Sequence, residues 1–289
     1  PPRSTLFPST TLFRSGARPP KSGRLTTSAG TYRNARVTPA EIEWINGLRR
    51  AEMSALLQRL PWLAGDLLEI GGGTGQQAAI LAAAGLNVTA IDLPSSGYRR
   101  ARQFPIRDYD GKHIPFPDAS FDVVFSSSTL EHIPDLETFE SEIARVLRPK
   151  GRAVHVLPTH HWRLWTSLAH YPAVILYIWR RLKAAPAPTD GMASEADMAR
   201  RPSWWKALFP PRHGERGNAL TEWGYFHPRW WSAHFERTGW RICESFPMGL
   251  LYTGYMVADG RLPLATRQGL ARILGSATRC FVLEKRGNE

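Results

Sequence analysis

Cysteine is scarce in this chain: Cys243 and Cys280 are the two among 289 residues. They cannot build a disulfide framework and suit a reducing compartment, so a cytoplasmic location is expected. There is no Cys-x-x-Cys, and the adjacent pair His160-His161 lacks the spacing of a helical ligand pair, so no metal is expected. Long apolar runs are missing as well. The longest uncharged one, Tyr171 to Trp179, is far below the roughly 20 residues a membrane-spanning helix needs. Acid is sparse at both ends. Residues 1–64 carry 10 Lys/Arg against 3 Asp/Glu and residues 158–289 carry 18 against 10, whereas residues 65–157 carry 9 against 12. The net charge of +12 therefore lies outside the middle of the chain. A basic surface of this kind fits nucleic acid, an anionic membrane or a plain solvated exterior.

What is present concentrates in that middle. Asp66-Leu67-Leu68-Glu69-Ile70 reads as a short buried strand, and Gly71-Gly72-Gly73-Thr74-Gly75-Gln76 as a glycine turn leading into a helix over 77–84. So few Cβ atoms let the backbone bend sharply and approach a ligand. A dinucleotide fingerprint beginning at Gly71 requires glycine at 76, where glutamine stands. Glu69 inside the turn suits a ligand carrying positive charge better than a pyrophosphate. Asp92 closes the apolar run Val88-Thr89-Ala90-Ile91, where a carboxylate can accept from both hydroxyls of a ribose. A fourth strand over 120–126 follows, then a helix with apolar residues Phe139, Ile143, Val146 and Leu147, stopped by Pro149 and Gly151. Short apolar strands alternating with helices predict an α/β fold with a mostly parallel sheet covered on both faces.

In order, the residues Glu69-x-Gly71-x-Gly73-x-Gly75, Asp92, Asp110, Pro115-Phe116-Pro117-Asp118, Phe121-Asp122-Val123-Val124, Leu130-Glu131-His132-Ile133-Pro134-Asp135 and Leu147-Arg148-Pro149-Lys150-Gly151 resemble the class I S-adenosylmethionine-dependent methyltransferases, most closely their small-molecule, type 11-like branch. The resemblance spans residues 66–158, about a third of the chain, and departs from the family pattern at Lys150, where a glycine is usual. It implies a Rossmann-like sheet of seven strands and S-adenosylmethionine as cofactor. It places Glu69 and the amides of Gly71, Gly72, Gly73 and Gly75 on the methionine part, Asp92 on the ribose, and Leu93 beside the adenine. Asp110 and Gly111 would meet the adenine amino group, and Ser126 would lie near the sulfonium. His132 is a candidate catalytic base, with His160 and His161 as alternatives, and Tyr32 or Arg36 could reach the methionine carboxylate.

The acceptor is less legible. Nucleic acid is disfavoured, because Ser126-Ser127-Ser128 replaces the Asn/Asp-Pro-Pro-Tyr/Phe that grips a flipped amine and no Pro-Cys pair is present. A small or lipid-like acceptor is expected. Between about 158 and 227 an aromatic-rich helical insertion is expected on the acceptor side. Trp162, Trp165, Tyr171, Tyr177 and Trp179 there suit a lid, a peripheral membrane contact through 162–183, or a dimer surface, and Pro172 argues against one unbroken helix. Residues 184–201 read as a loop. Residues 1–31 are expected to be disordered or artefactual, since 1–15 resemble translated sequencing-adapter read-through, and the methyltransferase domain is expected over 32–289. Thr38-Pro39-Ala40-Glu41 reads as the start of a helix covering the cofactor. A nicotinamide-dependent oxidoreductase on a similar sheet and a non-catalytic cofactor-binding scaffold are the alternatives.

Overall fold

A computed structural model describes residues 39–183, 209–254 and 262–287, all within a unit covering 35–289. Tyr32, Arg36, Thr38 and the segments 1–31 and 184–201 lie outside the described residues. Helix α1 (Pro39–Arg59) precedes β1 (Asp66–Ile70), α2 (Gln76–Ala83), β2 (Asn87–Asp92), β3 (Ile106–Asp108) and β4 (Phe121–Ser127). Then come α3 (Leu136–Val146), β5 (Leu147–Pro158), α4 (His160–Lys183), the one-turn α5 (Glu222–Tyr225), α6 (Pro228–Arg237), β6 (Trp240–Pro247), α7 (Leu264–Leu274) and β7 (Thr278–Lys285). The seven strands form one sheet in the order β3-β2-β1-β4-β5-β7-β6, with β7 antiparallel to both its neighbours. The Rossmann-like sheet expected from the motifs is the one observed.

The two faces of the sheet bury different helices. On one, Leu68, Ile70 and Val124 pack with Leu136, Phe139, Ile143 and Val146 of α3 and Trp231 and Phe235 of α6. On the other, Leu67, Val123 and Phe125 pack with Met53, Leu56 and Leu60 from α1 and its end and with Leu81 of α2. Each such side chain contributes about 1.5–3 kcal/mol of burial. A third cluster joins Leu48, Trp162, Phe226, Leu250, Tyr252 and Ala277, tying α1 and α4 to the loops beyond the sheet's end.

Two sequence expectations are corrected. Leu147 is not part of α3, and Pro149 and Gly151 do not stop that helix, which ends at Val146. Leu147 to Gly151 open β5, with Leu147 paired to Phe121 and the register shifting before Val123–Arg152. The bulge absorbs Pro149, which lacks a donor for a regular ladder. Pro172 does not divide the insertion either: α4 runs through it for 24 residues. Pro172 is exposed, as are Leu168 and Tyr171, so the carbonyl it deprives of a partner faces solvent.

Candidate active site

The glycine turn is fastened from three sides. Gly71 and Gly72 donate their amides to the Ile91 carbonyl at 2.9 and 3.1 Å, and Gly75 donates to the Gly72 carbonyl at 2.7 Å. The Gly73 amide donates to Asp92 Oδ2 at 3.1 Å, while Oδ1 accepts from the Leu93 amide at 2.8 Å. These amides are thus bonded within the protein. The glycines serve by shape. Gly71 and Gly75 have φ of 77° and 78°, a region costly for side-chain-bearing residues, and a Cβ on Gly75 would lie 2.6 Å from Phe104 Cβ. Next to Gly73, by contrast, a Cβ would meet nothing closer than Tyr98 at 3.8 Å, so the turn's open side is there.

Glu69, in β1, is 1% exposed; its Oε2 has no hydrogen-bond partner and would lie 3.6 Å from a Cβ added to Gly72. Burial pushes its pKa up to about 8, reinforced by the charge of Asp92 and opposed by the amide of Ala78 and by Arg49. An acid in that condition calls for a cationic or hydrogen-donating ligand. Arg49, on α1, donates to Glu52 Oε2 at 2.6 Å and to Ser128 Oγ at 3.0 Å. Burial works against its charge, and Glu52 outweighs that. Arg49 was not legible from its own neighbourhood in the sequence; it reaches the turn because α1 lies along it, with Asn46 Oδ1 accepting from Thr74 Oγ1 at 3.2 Å.

The remaining sequence candidates fall in different places. Leu93 is 36% exposed and faces Gly111, whose φ is 81° and whose added Cβ would lie 2.7 Å from Leu93 Cδ2. Asp110 is exposed, and its Oδ1 accepts from the amides of Lys112 and His113, both at 2.8 Å, which lowers its pKa. One oxygen is therefore committed to the local turn. Ser126 is fully buried and its hydroxyl shares a 2.8 Å hydrogen bond with His155, on the sheet face of α3 and α6. Glu69 is on the other face, and the pleat brings Ser127 there instead. Ser127 Oγ is 9% exposed as a residue and has no partner.

Beyond β4 the chain turns through Ser128 (φ 51°) and Thr129, whose hydroxyl donates to the Ile70 carbonyl at 3.3 Å, into a 3-10 turn over Leu130–His132. His132 is 42% exposed in its side chain, its ring 4.7 Å from that of His213, and burial lowers its pKa. At the end of β5, His160 is packed between His161 (3.9 Å) and His227 (4.4 Å), and burial with its cationic neighbours brings its pKa to about 4. Both shifts favour the neutral imidazole.

A methyltransferase-domain family matches residues 68–155, the span of the glycine turn, Asp92 and the β4 loop. Residues 68–155 are thus similar to a methyltransferase domain, and the relatives they match are methyltransferases. Over 105 residues it is 40% identical to 27-O-demethylrifamycin SV methyltransferase of Amycolatopsis mediterranei, covering 32% of this chain and 39% of that one. It is 37% identical over 93 residues to 2-methyl-6-phytyl-1,4-hydroquinone methyltransferase of Synechocystis, 29% of each chain. Demethylmenaquinone methyltransferase of Tropheryma whipplei is 33% identical over 123 residues, 40% of this chain and 51% of that one. The methyltransferase domain thus spans about half or less of these curated relatives. A chain from the solved complex of the Haloferax volcanii Trm112 methyltransferase activator with a methyltransferase shares the fold, with a TM-score of 0.51 at 16% identity over 86% of this chain and 94% of that one. The orphaned oxygen of Glu69 and the open side of Gly73 fit the family's cofactor, S-adenosylmethionine, and the nicotinamide alternative finds no support among these matches.

Proposed function

We propose that this protein transfers a methyl group from S-adenosylmethionine to a small or lipid-like acceptor. The observation that carries the reading is the buried, half-unpartnered carboxylate of Glu69 beside the glycine turn. When bound, the cofactor supplies an electrophilic methyl on a sulfonium that leaves as a neutral thioether. Glu69 would receive the methionine ammonium and Arg49 the methionine carboxylate, the role sequence reading gave to Tyr32 or Arg36. Asp92 keeps a lone pair on each oxygen for the ribose hydroxyls. Leu93 and Gly111 would flank the adenine and the second oxygen of Asp110 would accept from its amino group. Ser127 would face the methionine side in place of Ser126. Alignment and exclusion of water are the protein's main contribution. As the acceptor's lone pair forms its bond to the methyl carbon, the acceptor's proton passes to a neutral imidazole, His132 or His160.

The relatives named for a hydroquinone, a demethylmenaquinone and a demethylrifamycin support an acceptor of modest size and low polarity. So does one surface. Leu164, Leu168, Tyr171, Ile175 and Trp179 form an exposed stripe on α4, each 42% exposed or more. Their helical spacing favours contact with a lipid surface from which such an acceptor is drawn. No helix among the described residues is long and apolar enough to cross a membrane. We place the protein in the cytoplasm, at that surface. Calorimetry with S-adenosylmethionine and with NADH tests the cofactor; saturable binding of NADH alone would overturn the reading.

A further inference from the structure

Glu131, the residue before His132, is 1% exposed, and neither of its carboxylate oxygens has a hydrogen-bond partner. Its Oε1 lies 3.8 Å from His132 Nε2 and 3.9 Å from His213 Nε2. These distances are too long for direct hydrogen bonds, so the three groups converge without bonding to one another. One ligand atom from each residue lies within 4.8 Å of the other two. The site is held in place by its surroundings. The Glu215 amide donates to the Glu131 carbonyl at 2.9 Å, and an added Cβ on Gly214 would meet that carbonyl at 2.9 Å. Arg216 donates to the Ile133 carbonyl at 2.7 Å, so the two loops run zipped together. Glu222 Oε1 accepts from the amides of His213 and Gly214, both at 2.7 Å, and the Trp162 ring lies 4.5 Å from that of His213.

We propose that Glu131, His132 and His213 bind a divalent first-row transition metal ion, with zinc the simplest occupant. Two imidazoles and one carboxylate form a ligand set for such ions that leaves further positions open. Bonds of about 2.0–2.2 Å place ligand atoms roughly 3–3.5 Å apart, a contraction that the two partly exposed imidazoles make by small rotations. The ion would satisfy both stranded oxygens of Glu131. It would lie two residues past Thr129, which touches the glycine turn, and so on the acceptor side. Resting on the methyl-transfer reading, an open position on the ion would take the acceptor's oxygen and make it a better nucleophile. His132 would then act through the ion, and the proton would pass to His160.

The test is a titration of chelator-treated full chain with Co2+, followed by visible absorption and competed with Zn2+. One equivalent of Co2+ per chain with ligand-field bands displaced by Zn2+ is expected. His213→Gln and Glu131→Gln should each weaken binding at least tenfold, while His161→Gln should leave it unchanged. Calorimetric S-adenosylmethionine binding reports that each variant is folded, and any that fails is replaced by His213→Asn. No one-equivalent binding, or wild-type affinity in a folded His213 variant, overturns the site. The two readings separate: cofactor binding without metal binding removes only the site, and metal binding without cofactor binding removes only the methyl-transfer reading.

Discussion

The two sides of the candidate site are built in different ways. On the cofactor side, Glu69, Gly71 to Gly75 and Asp92 lie within one strand-turn-helix-strand unit, and Asp92 is hydrogen-bonded back to Gly73. On the acceptor side, His132 meets His213 and Glu222 pairs with Arg163 across tens of residues. The first is a local design that a short stretch of sequence can specify. The second exists only when α4, α5 and the 209–217 segment are docked on the sheet. Cofactor chemistry is thus written in motifs, and acceptor chemistry in tertiary contacts.

The largest expected effect falls on the docked side. Arg163 and Glu222 are 2% and 0% exposed, 3.1 Å apart. Burial pushes the Glu222 pKa up, and Arg163 and the two amides it accepts from oppose this. Glu222→Ala leaves a buried guanidinium without its carboxylate and should cost about 3–5 kcal/mol in urea unfolding. A loss below about 1 kcal/mol would show that the acceptor side does not depend on that pair.

On the cofactor side, Asp92→Ala removes a charged acceptor for two hydroxyls and should weaken S-adenosylmethionine about 10- to 100-fold in calorimetry, with the fold retained. Gly75→Ala adds a Cβ against Phe104 at a positive φ and should cost about 1–3 kcal/mol in thermal unfolding.

Glu69 sharpens the comparison through pH. Its folded pKa of about 8 is above the ordinary 4.5. The ligand-free folded state therefore holds a proton that the unfolded state releases, and this part of its stability is present below pH 4.5 and lost as pH rises towards 8. A ligand ammonium favours the ionised acid, so cofactor affinity should climb between about pH 6 and 7.5, by up to about tenfold per unit. Glu69→Gln should flatten that dependence.

The smallest effect on folding is expected at the exposed stripe of α4. Ile175→Glu, at a site 68% exposed, should change stability by about 0.5 kcal/mol or less. It should nevertheless abolish co-flotation with anionic liposomes if α4 meets a lipid surface, and wild-type protein that fails to float would remove that part of the account.

How much the sequence told follows the same division. The alternation of strands and helices, the turn and the place of Asp92 at a strand end were legible because strand period, glycine spacing and acid position are all local. Which serine shares the face of Glu69 was not legible, because a shift of one residue changes the face of a strand and the end of β4 has no internal marker. The internal bonds of the turn's amides were not legible because their acceptors, Ile91 and Asp92, belong to the next strand. Arg49, His213 and the orphaned Glu131 could not be found from spacing, since helix docking and a residue some eighty positions away bring them to the site. Pro172 misled because the cost of a missing donor depends on whether water can reach the carbonyl it abandons.

The central claim is that Glu69 and Asp92 make the glycine turn a seat for S-adenosylmethionine. Calorimetric titration of wild-type protein and Asp92→Ala with this cofactor tests it most directly. Saturable one-to-one binding that falls at least tenfold in the variant is the expected result; undiminished affinity in Asp92→Ala, or no binding by the wild type, would contradict it.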